Sequence, residues 1–231
     1  MRMGDMNGKT VVVIGASGVL GGLISEALAE RGARVVASAH SAAGMLKAAS
    51  VAETVLPLDI ADEASIKEFS SALRDEVESI DGIVIATGVA AFGPMAETPA
   101  DVVSQVMAVN ATGPISVITH LLPLCREGGE SFVLTLSGKI AEIPTAGLAA
   151  YSAAKSALYA YSGAAGREIR RGGVRWVDAR PGHTETGFAD RSIHGAAPDF
   201  GQGMEPRVAA ERIVQGIADG ERDLPSTAFV V

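Results

Sequence analysis

The chain has 231 residues, of which 48% are hydrophobic but only 4% aromatic, and it carries a formal net charge of −8 at pH 7. This length suits one α/β domain, and the acidic balance argues against a nucleic-acid-binding surface. Cys125 is the only cysteine, which excludes an internal disulfide. It ends an apolar helical run, which favours a core or interface position over a nucleophile.

The sequence contains no run of about 18 uncharged apolar residues that would predict a membrane span. Its first residues resemble neither a signal peptide nor a transit peptide. We therefore expect a cytoplasmic protein without membrane partners. The four histidines are dispersed and form no metal-ligand spacing with Cys125, so no metal site is expected.

Short β-rich runs alternate with longer helical patterns along the chain. The runs predict strands at 10–14, 34–38, 54–58, 82–86, 131–136 and 174–178, with a short edge strand at 228–231. Helical patterns cover the stretch from the first glycine loop to about residue 31, then about 62–78, 99–125 with a jog at Gly113-Pro114, 149–171 and 205–220. Buried apolar strands alternating with helices predict one Rossmann-type domain over 1–231, whose doubly wound, mainly parallel sheet has about seven strands and helices on both faces.

The least regular stretch, residues 186–204, is rich in Gly, Ala and Pro and follows the sixth predicted strand. Ligands of such folds bind beyond the carboxyl ends of the strands, where the strand order reverses. This stretch is therefore either a mobile substrate loop that overhangs the crevice or an ordinary surface loop.

A glycine-rich segment, Gly15-Ala16-Ser17-Gly18-Val19-Leu20-Gly21-Gly22, lies between the first strand and the first helix. In that context its glycines permit a tight turn, close approach of the backbone to phosphate and close packing of helix on strand. The segment predicts a dinucleotide site at the helix N-terminus, and the alternative is a glycine-rich turn without a ligand.

The second strand ends in Ser38-Ala39-His40-Ser41, and no carboxylate lies between Glu30 and Glu53. A site that prefers NAD usually has a carboxylate here for the ribose 2′-hydroxyl. Its absence favours NADP(H), with His40 and hydroxyls of Ser17, Ser38 or Ser41 as phosphate partners, although NAD(H) stays possible. His40 is alternatively a solvated loop residue.

Tyr151 and Lys155 are four residues apart, on one face of a helix if the segment is helical. An ammonium beside a phenol lowers the tyrosine pKa and prepares it to exchange a proton with a carbonyl or an alcohol. This pair predicts the acid/base of a catalytic site.

Together these motifs resemble the short-chain dehydrogenase/reductase family over nearly the whole chain. The resemblance rests on the glycine loop, on Asp59, Asn110 and the Tyr151/Lys155 pair, and on Pro181-Gly182 followed by Thr186. It implies that Asp59 and the adjoining Ile60 bind the adenine end, that Lys155 also binds the nicotinamide ribose, and that Asn110 holds a water linked to that lysine. It further implies that Gly88, Pro181, Gly182, Thr184 and Thr186 border the cofactor. From the residues alone, Asp59 could instead cap a helix and Asn110 could satisfy backbone at the helix jog.

Three positions depart from the family pattern. In the glycine loop, Val19 occupies the position at which the family usually has its middle glycine. At the end of the fourth strand, the family usually has Asn-Asn-Ala-Gly, and this chain has Ile85-Ala86-Thr87-Gly88, which retains only the glycine. The serine that usually orients the substrate lies thirteen residues before the tyrosine, where this chain has Gly138. Ser137 either turns into the site and takes the catalytic role or faces away, because a one-residue shift along a strand reverses the side chain.

The leading hypothesis is an NADP-dependent oxidoreductase that interconverts a small-molecule carbonyl and an alcohol, with Tyr151 as acid/base. The alternatives are a dinucleotide-binding sensor without catalysis and a redox-neutral epimerase or dehydratase with bound cofactor. His183 lies where cofactor and substrate are expected to meet. It either contacts one of these ligands or has only a structural role in its loop. The resemblance and the apolar run at 117–125 predict a homodimer or homotetramer.

Overall fold

Seven parallel strands form one sheet in residues 6–126 and 131–229, which this computed structural model describes. The strands are β1 Thr10–Ile14, β2 Arg34–Ala39, β3 Thr54–Pro57, β4 Gly82–Ile85, β5 Ser131–Leu136, β6 Val174–Ala179 and β7 Asp223–Leu224. Their order is β3-β2-β1-β4-β5-β6-β7. The order reverses between β1 and β4, so a crevice is expected at the carboxyl ends of these two strands.

The described residues form seven α-helices. They are α1 Val19–Glu30, α2 Ala42–Ala48, α3 Glu63–Glu76, α4 Ala100–Met107, α5 Gly113–Leu121, α6 Ala149–Ile169 and α7 Pro206–Ala218. Most follow the predicted helical patterns closely. The short α2 was not predicted, because its seven residues span barely two turns; Ser41 caps it by accepting a hydrogen bond from the Gly44 N–H.

The central strand β1 shows why both faces of the sheet are covered. Val11 and Val13 belong to a core cluster shared with α1 and α7, whereas Val12 and Ile14 belong to a cluster shared with α3 and α5. All four side chains are fully buried. Successive strand residues point to opposite faces, so a continuous apolar run requires helices on both sides. The predicted Rossmann-type, doubly wound sheet of seven strands is confirmed.

The jog predicted at Gly113-Pro114 is a π-helical turn, Ala108–Thr112, that joins α4 to α5. Pro114 has no N–H to donate to the preceding turn, so the regular α-helical bonding is interrupted there. Gly113 packs against the chain after β3, where an added Cβ would lie 2.1 Å from the Ile60 carbonyl oxygen. The bulge places Asn110 inside the fold.

The helical stretch Ala100–Leu124 is long and apolar enough to cross a membrane by length and composition alone. In the structure its Val106, Val117 and Leu121 are fully buried among neighbouring elements. A core helix can pass the same test of length and composition, so a single such stretch is weak evidence for a membrane span.

The prediction of an edge strand at 228–231 is wrong for residues 228 and 229, which the structure describes. Ser226–Phe229 is a 3₁₀ turn, and residues 230 and 231 lie outside the described part of the chain. The seventh strand is instead the two-residue β7, which pairs with the end of β6. Two residues carry no period that a sequence pattern could reveal, so only the tertiary pairing defines this strand.

Candidate cofactor and active site

A cavity of about 830 Å³ lies along the carboxyl ends of the strands. This volume is within the usual range for a small-molecule or cofactor site. Most of the predicted site residues line it, from every segment that follows β1 to β6: Gly15, Ser17, Gly18, Val19, Leu20, His40, Asp59, Ile60, Gly88, Tyr151, Lys155, Pro181, Gly182, Thr184 and Thr186. Gly21, Asn110 and Ser137 do not line it. The fold therefore brings together one continuous site from residues spread over the chain.

The glycine loop forms one end of this cavity. Gly15 has φ +88°, and a Cβ there would lie 2.8 Å from Thr87 Cγ2, so only glycine suits the position. Gly21 lies under the loop, where a Cβ would approach the Gly15 carbonyl oxygen to 2.3 Å. Helix α1 then begins without a side-chain cap and without an acidic residue in its first turn. Its unbonded N–H groups and dipole suit a phosphate.

The side chain of Thr87 supplies independent evidence of a ligand at this end. Its Oγ1 is buried and has no hydrogen-bond partner, the one such side-chain atom in residues 6–126 and 131–229. Thr87 lines the cavity beside Gly15. Because an unsatisfied buried hydroxyl costs free energy, a polar ligand in the cavity would satisfy it. The glycine cradle, the open helix end and this hydroxyl together fit a dinucleotide. In the sequence, Thr87 stands out only as a departure from the family motif.

His40 and Asp59 meet where β2 and β3 end. His40 Nε2 lies 3.4 Å from Asp59 Oδ2, and both side chains are substantially exposed. Asp59 Oδ1 also accepts a hydrogen bond from the Ala61 N–H, so the carboxylate stabilises the turn as well as facing the cavity. Of the suggested phosphate partners, Ser17 lines the cavity, whereas the Ser41 hydroxyl caps α2.

Ser38 belongs to the support of the glycine loop. Its side chain is buried, and its Oγ accepts a hydrogen bond from the Gly15 N–H at 3.3 Å. This hydroxyl helps to fix the turn that follows β1, although Ser38 also contributes to the cavity wall.

Tyr151 and Lys155 project from the first turns of α6 into the other end of the cavity. Lys155 Nζ donates a 2.7 Å hydrogen bond to the Leu136 carbonyl at the end of β5 and lies 5.9 Å from the centre of the Tyr151 ring. Phe188 packs against the same ring at 6.0 Å. The helix spacing predicted from the sequence is thus realised, and it holds the phenol and the ammonium side by side.

The electrostatics of this pair differ from the sequence-based expectation. Burial raises the pKa of Tyr151 instead of lowering it. Burial also lowers the pKa of Lys155 to about 8, an effect that the charge of Asp178 partly opposes. Desolvation outweighs the attraction between phenolate and ammonium because both groups are withdrawn from water. Burial therefore favours the neutral, protonated phenol over the phenolate.

Asn110 lies in the π-helical turn and is completely buried. Its amide nitrogen donates hydrogen bonds to the Val89 and Val106 carbonyls, and its Oδ1 accepts one from the Val89 N–H. These bonds tie the loop after β4 to α4. The backbone-satisfying role that the sequence left open is therefore present, and the water-holding role implied by the resemblance stays a prediction.

The structure does not bring Ser137 into the cavity. Its side chain is fully buried, and its hydroxyl donates a 2.5 Å hydrogen bond to Asp178 on the neighbouring strand. Gly138, the next residue, lines the cavity with φ +73° and offers no side chain. Of the two interpretations, the geometry favours the one in which Ser137 faces away, since alternate strand residues point to opposite faces.

Asp178 joins Ser137 to a buried polar network. It also accepts hydrogen bonds from Thr135 and from Arg180, whose guanidinium is 2% exposed. Arg180 in turn donates to Glu142, in the loop after β5, and to Asp223 of β7. Glu142 is therefore a structural partner of this network. This network connects the loop after β5, which lies beside the cavity, to β7 at the edge of the sheet.

The segment 186–204 lies along the cavity mouth. Its residues Phe188, Ala189, Arg191 and Phe200 line the cavity. The segment is anchored where the Phe92 N–H donates to the His194 carbonyl. His183 also lines the cavity and packs on Phe200, with ring centres 5.1 Å apart. These contacts place the segment where a substrate loop would lie, while its movement stays a prediction.

Cys125 is buried in the core cluster that also contains Leu121. Burial, with the charge of Asp81, raises the pKa of its thiol to about 11. This environment fits the expected core position. Within the described part of the chain, no group of three or more His, Cys, Asp or Glu side chains is arranged to hold a metal.

Comparisons with known proteins agree with this geometry. A family model described as "short chain dehydrogenase" matches residues 9–196. The chain is 30% identical over 95% of its length to a dehydrogenase/reductase SDR family protein 7-like from Drosophila melanogaster, of which 73% is covered. It is 29% identical over 79% of its length to a 2,3-dihydro-2,3-dihydroxybenzoate dehydrogenase from Escherichia coli (strain K12), of which 72% is covered.

A solved dehydrogenase/reductase from Sinorhizobium meliloti 1021 superposes with a TM-score of 0.81 at 23% identity, covering 98% of this chain and 97% of that one. This likeness supports the fold. The family match spans most of the chain and includes the glycine loop and the Tyr151/Lys155 pair. The chain belongs to the short-chain dehydrogenase/reductase family of oxidoreductases.

Proposed function

We propose that this protein is an NADP-dependent carbonyl reductase or alcohol dehydrogenase. The observation that carries the proposal is the convergence of Tyr151 and Lys155 on the cavity whose other end is the glycine loop. A cofactor bound along this cavity would extend from the N-terminus of α1 toward Tyr151. The site thereby combines a place for a dinucleotide with a proton donor at its far end.

In this mechanism a bound nicotinamide supplies the hydride for the carbonyl carbon. Tyr151 donates its hydroxyl proton to the carbonyl oxygen, on which negative charge develops. The raised pKa of Tyr151 keeps that proton in place before reaction. Lys155, held by the Leu136 carbonyl, stabilises the resulting phenolate, and the proton is replaced from solvent through a water near Asn110. In the alcohol-oxidising direction each proton moves in reverse.

The proposed preference for NADP(H) depends on the end of β2. Ala39 lines the cavity there and carries no charge, and His40 beside it is exposed. A 2′-phosphate would meet the imidazole of His40 and the hydroxyl of Ser17. Asp59 is the one carboxylate that lines the cavity in the described chain, and it already faces His40.

A sensor that binds a dinucleotide without hydride transfer is the second candidate. It is favoured by the position of Ser137, whose hydroxyl is bound to Asp178, and by the bare Gly138 beside the cavity. Members of the family usually hold the substrate oxygen with two hydroxyls, one from a serine and one from the tyrosine. Because Gly138 occupies the serine position, Tyr151 would have to hold the oxygen without that second hydroxyl. A redox-neutral epimerase or dehydratase with bound cofactor is the remaining alternative.

Cofactor consumption separates these functions. Purified protein is incubated with NADPH and a broad panel of aldehydes and ketones, and the oxidation of NADPH is followed by absorbance. The reductase proposal expects turnover of some panel members that Tyr151→Phe abolishes. Tight binding of NADPH without turnover of any panel member would favour the sensor. Substrate conversion without net NADPH oxidation would indicate the redox-neutral enzyme.

We also propose that the protein is a cytoplasmic homodimer or homotetramer. The apolar run at 117–125 does not support assembly as expected, because Val117, Ile118 and Leu121 are buried in the core. Support comes instead from Val103 on α4 and Tyr159 on α6, which are 36% and 38% exposed on helices that pack together. Light scattering that shows only monomer at micromolar concentration would refute the assembly.

A further inference from the structure

The charges that line the cavity are unevenly distributed. Asp59, its one lining carboxylate in the described chain, lies near the glycine loop and faces His40. The end that contains Tyr151 is lined by three cationic side chains, Lys139, Lys155 and Arg191, and by no carboxylate. Lys155 is buried and bound to the Leu136 carbonyl, so its charge has an evident structural role. Arg191 is also bound to a backbone carbonyl, that of Thr186, whereas the ammonium group of Lys139 has no such contact in the described chain.

Lys139 follows directly after the bare Gly138. Its N–H donates a 2.9 Å hydrogen bond to the Pro181 carbonyl, which fixes the start of the side chain beside the cavity. Its stem passes Gly182, where an added Cβ would lie 3.9 Å from Lys139 Cδ. Neither an ion pair nor a hydrogen bond engages its ammonium group within residues 6–126 and 131–229. The charge is exposed at the mouth and free to meet a ligand.

Arg191 adds a second positive charge to the same rim. Both of its terminal nitrogens lie 3.3 Å from the Thr186 carbonyl oxygen, which holds the guanidinium in place. No carboxylate of the described chain forms an ion pair with it. In a protein with a net charge of −8, two cations without an ion-pair partner in the described chain favour the approach of an anion to this rim.

The walls below these cations are apolar and aromatic. Phe188 packs on the Tyr151 ring at 6.0 Å, and Phe200 lies 6.0 Å from Phe92 and 5.1 Å from His183. A molecule that fits this end should therefore present an apolar or aromatic body to the walls and a negative group to the rim. Its carbonyl would reach Tyr151, which is more deeply placed than the exposed Lys139.

We propose that Lys139 binds a carboxylate on the substrate, so that the enzyme acts on apolar or aromatic carbonyl compounds that carry an acid group. This inference rests on the proposed reductase function and names its substrate class. Phosphates of the cofactor are a poorer fit for Lys139, since they would lie at the N-terminus of α1, whereas Lys139 follows β5. The reacting carbonyl oxygen is also a poorer fit, because the ammonium lies at the solvent-exposed mouth.

Binding of an unreactive pair of ligands tests the carboxylate site without requiring turnover. We would titrate 2-naphthoate and its neutral amide, 2-naphthamide, into the full chain in the presence of NADP⁺ and measure heats of binding. A charge-assisted contact at an exposed rim should favour the naphthoate by about tenfold. Lys139→Met should abolish that preference, whereas Lys47→Met, which removes an exposed lysine of α2, should retain it. Equal binding of acid and amide, or a preference that survives Lys139→Met, overturns the proposal.

Turnover separates this inference from the function on which it rests. The NADPH panel should include aromatic keto acids, each beside its methyl ester. A preference for the acids in kcat/KM that is lost in Lys139→Met, mainly through a higher KM, supports the carboxylate site. Turnover of esters and acids at equal rates keeps the reductase function and overturns the role of Lys139. Lys139-dependent binding of naphthoate with no turnover of any panel member keeps the anion site and overturns the reductase function.

Discussion

The hydroxyl of Ser137, directly after β5, donates a hydrogen bond to the carboxylate of Asp178 on β6 and does not line the cavity. The contact gives a buried carboxylate one of its three side-chain donors, with Thr135 and Arg180 as the others. A hydroxyl that resembles a displaced catalytic group is thus part of the support of the sheet.

Ser137→Ala should therefore affect stability more than catalysis. Loss of one donor to a buried carboxylate should lower the free energy of unfolding by about 1–2 kcal/mol. Turnover should fall by less than about threefold, instead of the 10²–10³-fold expected for a hydroxyl that stabilises the developing charge. Urea denaturation and steady-state kinetics measure the two effects. Ser104→Ala, which removes an exposed helical hydroxyl, is the control, and a large loss of turnover with unchanged stability would contradict the placement.

Tyr151→Phe removes the proton donor while it keeps the ring that packs against Phe188. We expect turnover to fall by at least about 10²-fold, the usual contribution of general acid catalysis. The dissociation constant for NADPH should change by less than about threefold, because the phenyl ring still fills its place. Tyr159→Phe on the same helix serves as the control. Unchanged turnover in Tyr151→Phe would exclude the phenol as the acid.

Ala39→Asp should change the cofactor preference. A carboxylate at the end of β2 would repel a 2′-phosphate and could accept a hydrogen bond from a free 2′-hydroxyl. We expect at least tenfold weaker binding of NADPH, with NADH binding unchanged or tighter, by calorimetric titration. Ala49→Asp adds the same charge beyond α2 and should leave both affinities unchanged. Because Ala39 is buried, thermal melts must show that the variant is folded. Wild-type protein that binds NADH as tightly as NADPH would refute the preference itself.

The lowered pKa of Lys155 predicts a pH-dependent stability. The pKa of Lys155 is about 8 in the folded chain, whereas its usual value is 10.5. Between these two pH values, the unfolded chain binds more protons at this lysine than the folded chain does. The contribution of Lys155 to the free energy of unfolding should therefore rise as pH rises through this window. Urea denaturation of the wild type and of Lys155→Met, compared across the window, isolates the effect. Lys47→Met should follow the wild type, and parallel curves for all three proteins would contradict the shift.

The amino-acid sequence determined the class of fold and indicated most of the predicted residues that line the cavity. Apolar runs of four to six residues can be buried only between two layers of helices, so the parallel sheet followed from patterning. The glycine loop was recognisable from its spacing, and the structure shows the steric reason at Gly15 and at Gly21 beneath it, where an added Cβ would collide with neighbouring atoms. The spacing of Tyr151 and Lys155 fixed their common face, since side chains four residues apart align on any α-helix.

Only the tertiary structure decided the features that depend on distant neighbours. Ser137 could face either way until Asp178 on β6 supplied its acceptor. The pKa of Tyr151 depends on how far packing removes water from the ring, and that burial reversed the shift expected from Lys155 alone. Thr87 gained significance only when its hydroxyl proved to be buried without a partner. Spacing along the chain is a local property, whereas desolvation, side-chain direction and hydrogen-bond satisfaction are set by residues that folding brings from elsewhere.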